Sequence, residues 1–550
     1  MTESAENQGT DCYSQDHPDF RRYLVNIDSI STHQLFTDCL VIGSGIAGLR
    51  AALEAAEQCK VLLVCKKRLC DSNTWKAQGG IASVLHELDS FDEHIADTLK
   101  AGCDLCDPDI VSLVVRQGPR LLEQLMAGGM EFDRKGGQID MTREGGHSKP
   151  RVAHAHGDET GRIIAQSLIE RVQAHKNISL LEDFFVIDLL TDEDQRCIGV
   201  VGSDSQRRSE IIWAANTLLA TGGAGQLYRE TTNPEVATGD GLAMAYRAGA
   251  ILRDLEFMQF HPTTLYIAGA SRALITETLR GEGAILVDSE GRAFMKQYHE
   301  AAELAPRDVV SRAILSQMLK TESTHVYLDI RHFDKAHFQK RFPLISELCE
   351  TFDIDIREDL IPVRPSAHYL VGGVKTNEAG ETNLPHLFAC GEAASTCLHG
   401  ANRLGSNSLL EGLVFGMIAG QTATRHKVTD LADLRHPLLQ YAIPDSDRSR
   451  LDTADVRNSL RALMWRNVGI TRKAKHLEEA QEIIGFWQRY VMDKVFDQPE
   501  GWECQNMLTL AMLMTQSAQN RLESRGVHYR WDHPNLSDAN FKRHFEITKA

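Results

Sequence analysis

The stretch DCLVIGSGIAGLRAALEAAEQ, residues 38–58, decides the fold. It opens on a short apolar run ending in glycine, the mark of a buried strand, and continues with apolar residues at helical spacing. Between the two, Gly43, Ser44, Gly45, Ile46, Ala47 and Gly48 spell G-x-G-x-x-G at the strand-to-helix turn. The first glycine permits the tight turn, the second lets a pyrophosphate reach the backbone, and the third allows close helix–strand packing. The helix N-terminus adds unpaired N–H groups and partial positive charge. VLLVCKK, residues 61–67, follows as a second buried strand. That completes a βαβ unit and makes the body an α/β, Rossmann-like dinucleotide-binding domain. One departure is informative: where the usual fingerprint has an acid gripping a ribose, this chain has Lys66, which disfavours a nicotinamide cofactor.

At 550 residues the chain exceeds one hydrophobic core. Its net charge of −17 speaks against a nucleic-acid partner, so any anion site must gather its arginines locally. The N-terminus lacks the pattern of a secretory signal, and no apolar run approaches the ~18–20 residues of a membrane span. Twelve scattered cysteines then read as reduced thiols of a cytoplasmic protein, with no membrane attachment. Cys103 and Cys106 in CDLC lack the further ligands a zinc site needs, and His154 and His156 in AHAHGDETG read as a structural loop. Thr160 is expected to cap the helix GRIIAQSLIERV, and no metal site is expected.

Further strand patterns occur in ISLLEDFFVIDLLT, CIGVVGSD and TLLATGG, after which the texture changes between Ala250 and Val371. HLFACGEAA and the helix SNSLLEGLVFGMIAG restore the first pattern. Beyond a linker from Pro437 to Pro444 the chain turns helical, with Gly526 as the stop of its last long helix. The α/β body is thus interrupted by an insertion and followed by a helical bundle. Three motifs choose flavin. SNTWKAQGG is a second glycine-rich loop carrying Asn73, Thr74, Trp75, Lys76, Ala77, Gln78, Gly79 and Gly80. ATGGAG, from Ala220, suits the adenine half, and Glu392 in GEAA suits the sugar-alcohol chain. Ser408 and Leu409 open a helix whose N-terminus stabilises the negative charge of a reduced flavin ring.

The ordered succession SNTWKAQGGIA, TREGGHS, TTNPEVATGDGLAMAYRAGA, EFMQFHPTTLY, TETLRGEGA, LAPRDVVSRAI, SAHYLVGGV and HGANRLGSNSLLEGLVFG resembles the succinate dehydrogenase/fumarate reductase flavoprotein superfamily. The likeness is strongest to its aspartate-oxidising members and runs from about Asp38 to Pro534. It implies a 1–36 extension, an FAD domain over 37–254 and 370–436, an inserted α+β capping domain over 255–369, and a helical domain over 437–550. Lys66 and Asp240 would then belong to the FAD site. Asn73 stands where membrane-complex relatives have a histidine that bonds the flavin covalently, so FAD is expected to be noncovalent.

Any single arginine or histidine in the chain reads more simply as a surface or structural group; the motifs reverse that. By resemblance, His261, Thr276, His368, Arg403 and Ser406 hold the two carboxylates of a dicarboxylate against the flavin, with Gln259 and Glu277 alongside. Arg307 is the proton-transfer residue, a role at odds with arginine's usual permanent protonation. Glu144 in TREGGHS would repel a plain dicarboxylate and becomes favourable only beside a ligand's ammonium group. The resemblance therefore implies oxidation of L-aspartate to iminoaspartate, with electrons passed to O2, giving H2O2, or to fumarate. It places the reaction at the first step of de novo NAD biosynthesis, coupled to quinolinate synthase. The alternative is a soluble fumarate reductase or succinate dehydrogenase flavoprotein subunit.

Overall fold

His33–Ile42 and Val61–Val64 lie side by side as parallel strands, Cys39 opposite Val61, with the helix Ile46–Ala56 crossing between them. This is seen in a computed structural model that describes residues 11–15, 21–270, 272–425 and 437–549. Strands covered on both faces read as unbroken apolar runs, which is why this unit was legible. Ser209–Leu219 pairs in parallel on the far side of His33–Ile42, and Ile178–Leu181 extends the sheet beyond Val61–Val64. The sheet then turns antiparallel through Cys197–Ser203 and Phe185–Thr191. Leu387–Ala389 returns from far along the chain to pair with the end of Ser209–Leu219. Helix Asn407–Ala423 packs on Ile46–Ala56 through glycines four residues apart. A Cβ on Gly412, Gly416 or Gly420 would stand 2.6 Å from Ile46 Cγ2, Ala47 O or Ala51 O respectively.

The insertion is an antiparallel four-stranded sheet, Met258–Leu265, Ile361–Leu370, Val326–Asp329 and Ile285–Val287 in spatial order. Helices Arg307–Lys320, Lys335–Arg341 and Pro343–Thr351 cover it, and it has its own core around Phe294, Ile314, Leu328 and Phe338. The C-terminal helices Thr453–Asn467, Ala474–Val491 and Pro499–Asn520 have no such independence. Leu460, Met507 and Leu510 share one apolar cluster with Leu189, Ile212 and Trp213 of the main sheet. The final strand, Phe545–Lys549, joins Asp11–Gln15 in parallel and Leu252–Arg253 antiparallel.

Several sequence expectations need correction. The first strand of the main sheet begins at His33, and Leu24 and Ile27 are already core, so the chain enters the fold well before residue 37. Residues 1–10 and 16–20 of the expected extension lie outside the described residues, as does 426–436, where a domain boundary was placed. Thr160 is the first helical residue instead of the cap; its Oγ1 accepts the Ala155 amide at 3.2 Å, bracing the preceding loop. The last long helix stops at Asn520, where the Arg521 guanidinium binds Glu256 and two backbone carbonyls. Gly526, at φ +54°, serves a later turn whose backbone presses on Ala401.

One buried ion pair ties four parts of the chain together. Asp188 accepts from Arg247 Nε at 2.7 Å and from the Leu24 amide at 2.7 Å, while Arg247 also donates to Asn506 Oδ1 of the C-terminal helix. Both side chains are fully buried, so removing one leaves the other charged and unpaired. Arg247→Ala should therefore lower unfolding stability by about 3–5 kcal/mol, measured by denaturant titration. A loss under about 1 kcal/mol, the range of an exposed pair, would show that the linkage is not structural.

Candidate active site

A cavity of about 580 Å³ runs from the G-x-G-x-x-G turn past residues 73–78 to His368, Arg403 and the start of helix Asn407–Ala423. The motif's glycines divide their work. Gly43 has φ +112°, and a Cβ there would lie 2.2 Å from Ala220 O; one on Gly48 would lie 2.0 Å from Gly43 O. Both are demanded by the fold. Gly45 meets nothing nearer than Thr74 Oγ1 at 3.5 Å, so its missing side chain leaves room on the cavity side. Gly80 is structural, pressed on Ala153, and with Gly48 and Gly79 it lies off the cavity wall.

Lys66 lines the cavity as a pinned cation. Its Nζ donates to Asp240 Oδ2 and Thr238 Oγ1, each at 2.8 Å, and pairs with Glu503 of the C-terminal helix. Asn73 Nδ2 donates to Glu392 Oε2 at 3.0 Å, and Glu392 Oε1 accepts the Leu370 amide at 3.0 Å. Burial nevertheless pushes the Glu392 carboxyl up to about 7. Gln78 Oε1, Thr221 Oγ1 and Asn233 Oδ1 are buried without a protein partner, and all three residues line the cavity. An open glycine at a helix N-terminus and several orphaned polar atoms along one elongated cleft fit a dinucleotide. Ser44, Ile46, Ala47, Trp75, Lys76, Ala77, Ser408 and Leu409 also line it.

Where the cavity meets the capping domain, three arginines converge. Arg307 Nε donates to Glu277 Oε2 at 2.5 Å, and Arg280 Nη2 stands 3.0 Å from Glu277 Oε1. Burial alone pushes Glu277 up, but these two guanidiniums outweigh it and hold the carboxyl down. Gln259 Oε1 accepts from Arg307 Nη1 and Arg403 Nε, each at 3.2 Å. Its Nε2 donates to Asn402 Oδ1 and Arg403 O. Gln259 is thus fully engaged in spacing two cations and has no group left for a ligand. Arg403 lies over the Tyr369 ring at 4.4 Å and donates to Ser408; burial, then Arg307, lowers it to about 10.

His261 and His368 face each other, ring centroids 5.2 Å apart. His261 Nδ1 lies 3.0 Å from Thr263 O and His368 Nδ1 lies 2.9 Å from Thr232 Oγ1, so their other ring nitrogens are free for a ligand. Burial first, then neighbouring arginines, hold both rings neutral. His368 keeps one face open to the cavity although protein encloses it. Thr276 caps the short helix Glu277–Gly281, accepting the Thr278 amide, and its O–H donates to Thr278 Oγ1 at 3.2 Å, which itself donates to Glu144.

Glu144 is buried beside this cluster. Met141–Thr142 pairs with Val152–Ala153, and that small sheet delivers the TREGGHS loop inward. Glu144 Oε2 accepts Ser406 Oγ at 2.7 Å and Oε1 accepts Thr278 Oγ1 at 3.1 Å. A Cβ on Gly405 would stand 3.2 Å from both Glu144 Oε2 and Arg307 Nη2, and 3.3 Å from Glu277 Oε2. Burial, then Glu277, raises the Glu144 carboxyl. The single hydroxyl proton of Ser406 is committed to Glu144, so Ser406 supports that acid in place of its expected role as a carboxylate donor. Thr278, Asn402 and Tyr369 lay unnoticed inside the quoted motifs; only their contacts single them out. Elsewhere, His154 bonds Thr142 Oγ1, and the thiols of Cys103 and Cys106 reach only backbone carbonyls.

With this geometry in view, comparisons with known proteins are direct. Residues 38–409 match a family model described as an FAD binding domain, and residues 457–550 match the fumarate reductase flavoprotein C-term. An "L-aspartate oxidase" of Streptomyces coelicolor is 41% identical, covering 93% of this chain and 91% of its own. "L-aspartate oxidase 1" of Ralstonia nicotianae is 44% identical over 90% and 95%. Among solved structures, the FrdA chain of E. coli quinol fumarate reductase superposes with TM-score 0.86 at 33% identity, covering 93% and 94%. Mycobacterium smegmatis Sdh1 gives 0.78 at 31%, covering 92% and 90%. The chain belongs to the L-aspartate oxidase family, within the FAD-binding flavoproteins of the succinate dehydrogenase and fumarate reductase kind.

Proposed function

We propose that the protein oxidises L-aspartate to iminoaspartate with FAD, passing the electrons to O2 or fumarate, at the first step of de novo NAD biosynthesis. FAD, when bound, supplies the acceptor for the Cα hydrogen and its electron pair. The chain's own residues do the rest. Arg403 and the free Nε2 of His368 are the donors for the carboxylates at one mouth of the cavity, with His261 packed against His368 and Thr276 bonded to Thr278 beside them. Arg307 stands between Glu277 and Gln259, where it stabilises charge on the reacting carbons and is placed to pass a proton through Glu277. Burial of the whole set excludes water and strengthens each of these interactions.

Glu144 is the observation that carries the choice of substrate. While ionised, a buried carboxylate with two hydroxyl donors and spare lone pairs suits an ammonium and repels an unaminated dicarboxylate. Without such a carboxylate, the reading as a fumarate reductase or succinate dehydrogenase subunit would stand. Among the described residues no helix is long and apolar enough to cross a membrane; we propose soluble acceptors and a cytoplasmic setting. Iminoaspartate hydrolyses readily, so a condensing enzyme that consumes it at once, quinolinate synthase, is the natural coupling partner.

Three measurements test this. Anaerobic addition of L-aspartate to the holoprotein should bleach the yellow flavin band rapidly; bleaching by succinate alone would move the protein to the alternative. Glu144→Gln should weaken aspartate turnover by about 10–100-fold, the worth of one charge-assisted hydrogen bond, while fumarate reduction changes by less than about threefold. Equal losses would remove Glu144 from substrate choice. Because Asn73 binds Glu392 by hydrogen bonding and is no nucleophile, denaturation should release all FAD into the filtrate. Flavin retained on the unfolded chain would contradict noncovalent binding.

A further inference from the structure

A substrate ammonium cannot lose the Cα hydrogen with its electron pair until nitrogen has a lone pair to share, so some group must first take a proton. The pocket offers few candidates. Protonated as they rest, Arg280, Arg307 and Arg403 have no acceptor for an ammonium proton. Glu277 is engaged by two of them. His147 faces the site from behind the loop, with Nε2 on Gly405 O at 3.0 Å and Nδ1 on Arg151 at 3.3 Å, so both its nitrogens are occupied. His261 and His368 are each bonded through Nδ1, and burial beside cations makes imidazoles poor bases. Burial acts oppositely on a carboxylate, making Glu144 a better base than an exposed acid. Each Glu144 oxygen accepts only one hydroxyl, leaving a lone pair on each. A Cβ on Gly79, in the cofactor loop, would stand 3.8 Å from Glu144 Oε1, so the acid lies against that loop.

Resting on the function proposed above, we infer that Glu144 is the base that takes the ammonium proton of the substrate, and that its carboxyl then stays protonated beside the dicarboxylate. The step balances: –NH3⁺ and –COO⁻ become –NH2 and –COOH. The Cα–H bond can then break, its electron pair leaving with the hydrogen, for which bound FAD would supply the acceptor, while the nitrogen lone pair forms the C=N bond of an iminium. Charge accounting favours this. With Glu144 ionised, three arginines and two glutamates leave the pocket at +1, which matches L-aspartate at −1. With Glu144 protonated the pocket is +2, which matches fumarate or succinate at −2. One proton on one residue therefore lets a single buried site remain neutral with either ligand.

The experiment has two arms, both on holoprotein. Malonate, a dicarboxylate without an amino group, is titrated calorimetrically at about pH 8 in buffers of different ionisation heat. Wild type should take up roughly one proton per malonate bound, and Glu144→Gln none. Equal uptake by both, or none by either, overturns the inference. In the second arm, anaerobic flavin reduction by L-aspartate is followed against pH. Glu144→Gln should be slow near neutrality and gain about tenfold per pH unit as the amine deprotonates unaided. A variant profile parallel to wild type, with only KM raised, leaves Glu144 an orienting group and overturns it as base. FAD content and thermal unfolding of the variant, matched to wild type, verify that its pocket is intact. Failure of L-aspartate to bleach wild type would overturn the function itself, and the malonate arm would still decide where the proton resides.

Discussion

Three guanidinium groups sealed in one pocket repel each other, and the surrounding structure exists to hold them there. Two cations ~6 Å apart repel by about 3 kcal/mol even at an effective dielectric near 20. Glu277 offsets this between Arg280 and Arg307, the Gln259 carbonyl oxygen between Arg307 and Arg403, and the Tyr369 ring beneath Arg403. What remains is an excess of positive charge with its solvent removed. A dicarboxylate entering that space replaces lost hydration with fixed donors, and it meets them already oriented.

The fold explains why these groups come from so many parts of the chain. Met258–Leu265 and Ile361–Leu370 are neighbours in the capping sheet and bring Gln259, His261 and His368 to its root. Helices Glu277–Gly281 and Arg307–Lys320 present Glu277, Arg280 and Arg307 from their first turns. Arg403 and Ser406 precede the helix that packs through glycines on the dinucleotide turn. The pocket thus sits at the seam between two bodies, where the capping domain supplies Glu277, Arg280 and Arg307, the other body Glu144 and Arg403, and the cavity for the cofactor ends.

How much of this the sequence disclosed depends on the kind of force involved. The βαβ unit, the glycine turn and the helical C-terminus follow from local periodicity and backbone conformation, and these are readable in a window of residues. The shared core of the C-terminal helices with the main sheet is not, because Leu460 and Ile212 announce only that they are apolar. The same limit applies at the site. Motif likeness pointed to Arg307, Arg403 and the histidines, but the commitment of the Ser406 proton to Glu144, and of Gln259 to two arginines, depends on residues 48 to 262 positions apart. Thr160 and Gly526 were each given the nearest helix end, when Thr160 braces the loop before its helix through the Ala155 amide and Gly526 serves a turn pressed on distant Ala401.

An acid such as Glu144 should be unwelcome in a buried site already containing another carboxylate, so its retention needs support from its own loop. That support is visible. Arg151, fully buried, grips Asp89 through two hydrogen bonds and pairs with Asp97, which in turn accepts the Ser148 amide. From this anchored end His147 reaches Gly405 O, while Glu144 itself reaches Ser406. The loop is therefore fastened to the same turn at two successive residues, and Glu144 cannot swing outward to solvent without breaking both. Held in place, its only ways to lower the energy of its charge are a proton or a ligand cation. An amino-dicarboxylate would supply either one, as an intact ammonium or as the proton that ammonium gives up, whereas a dicarboxylate lacking the amine would require the proton to come from solvent.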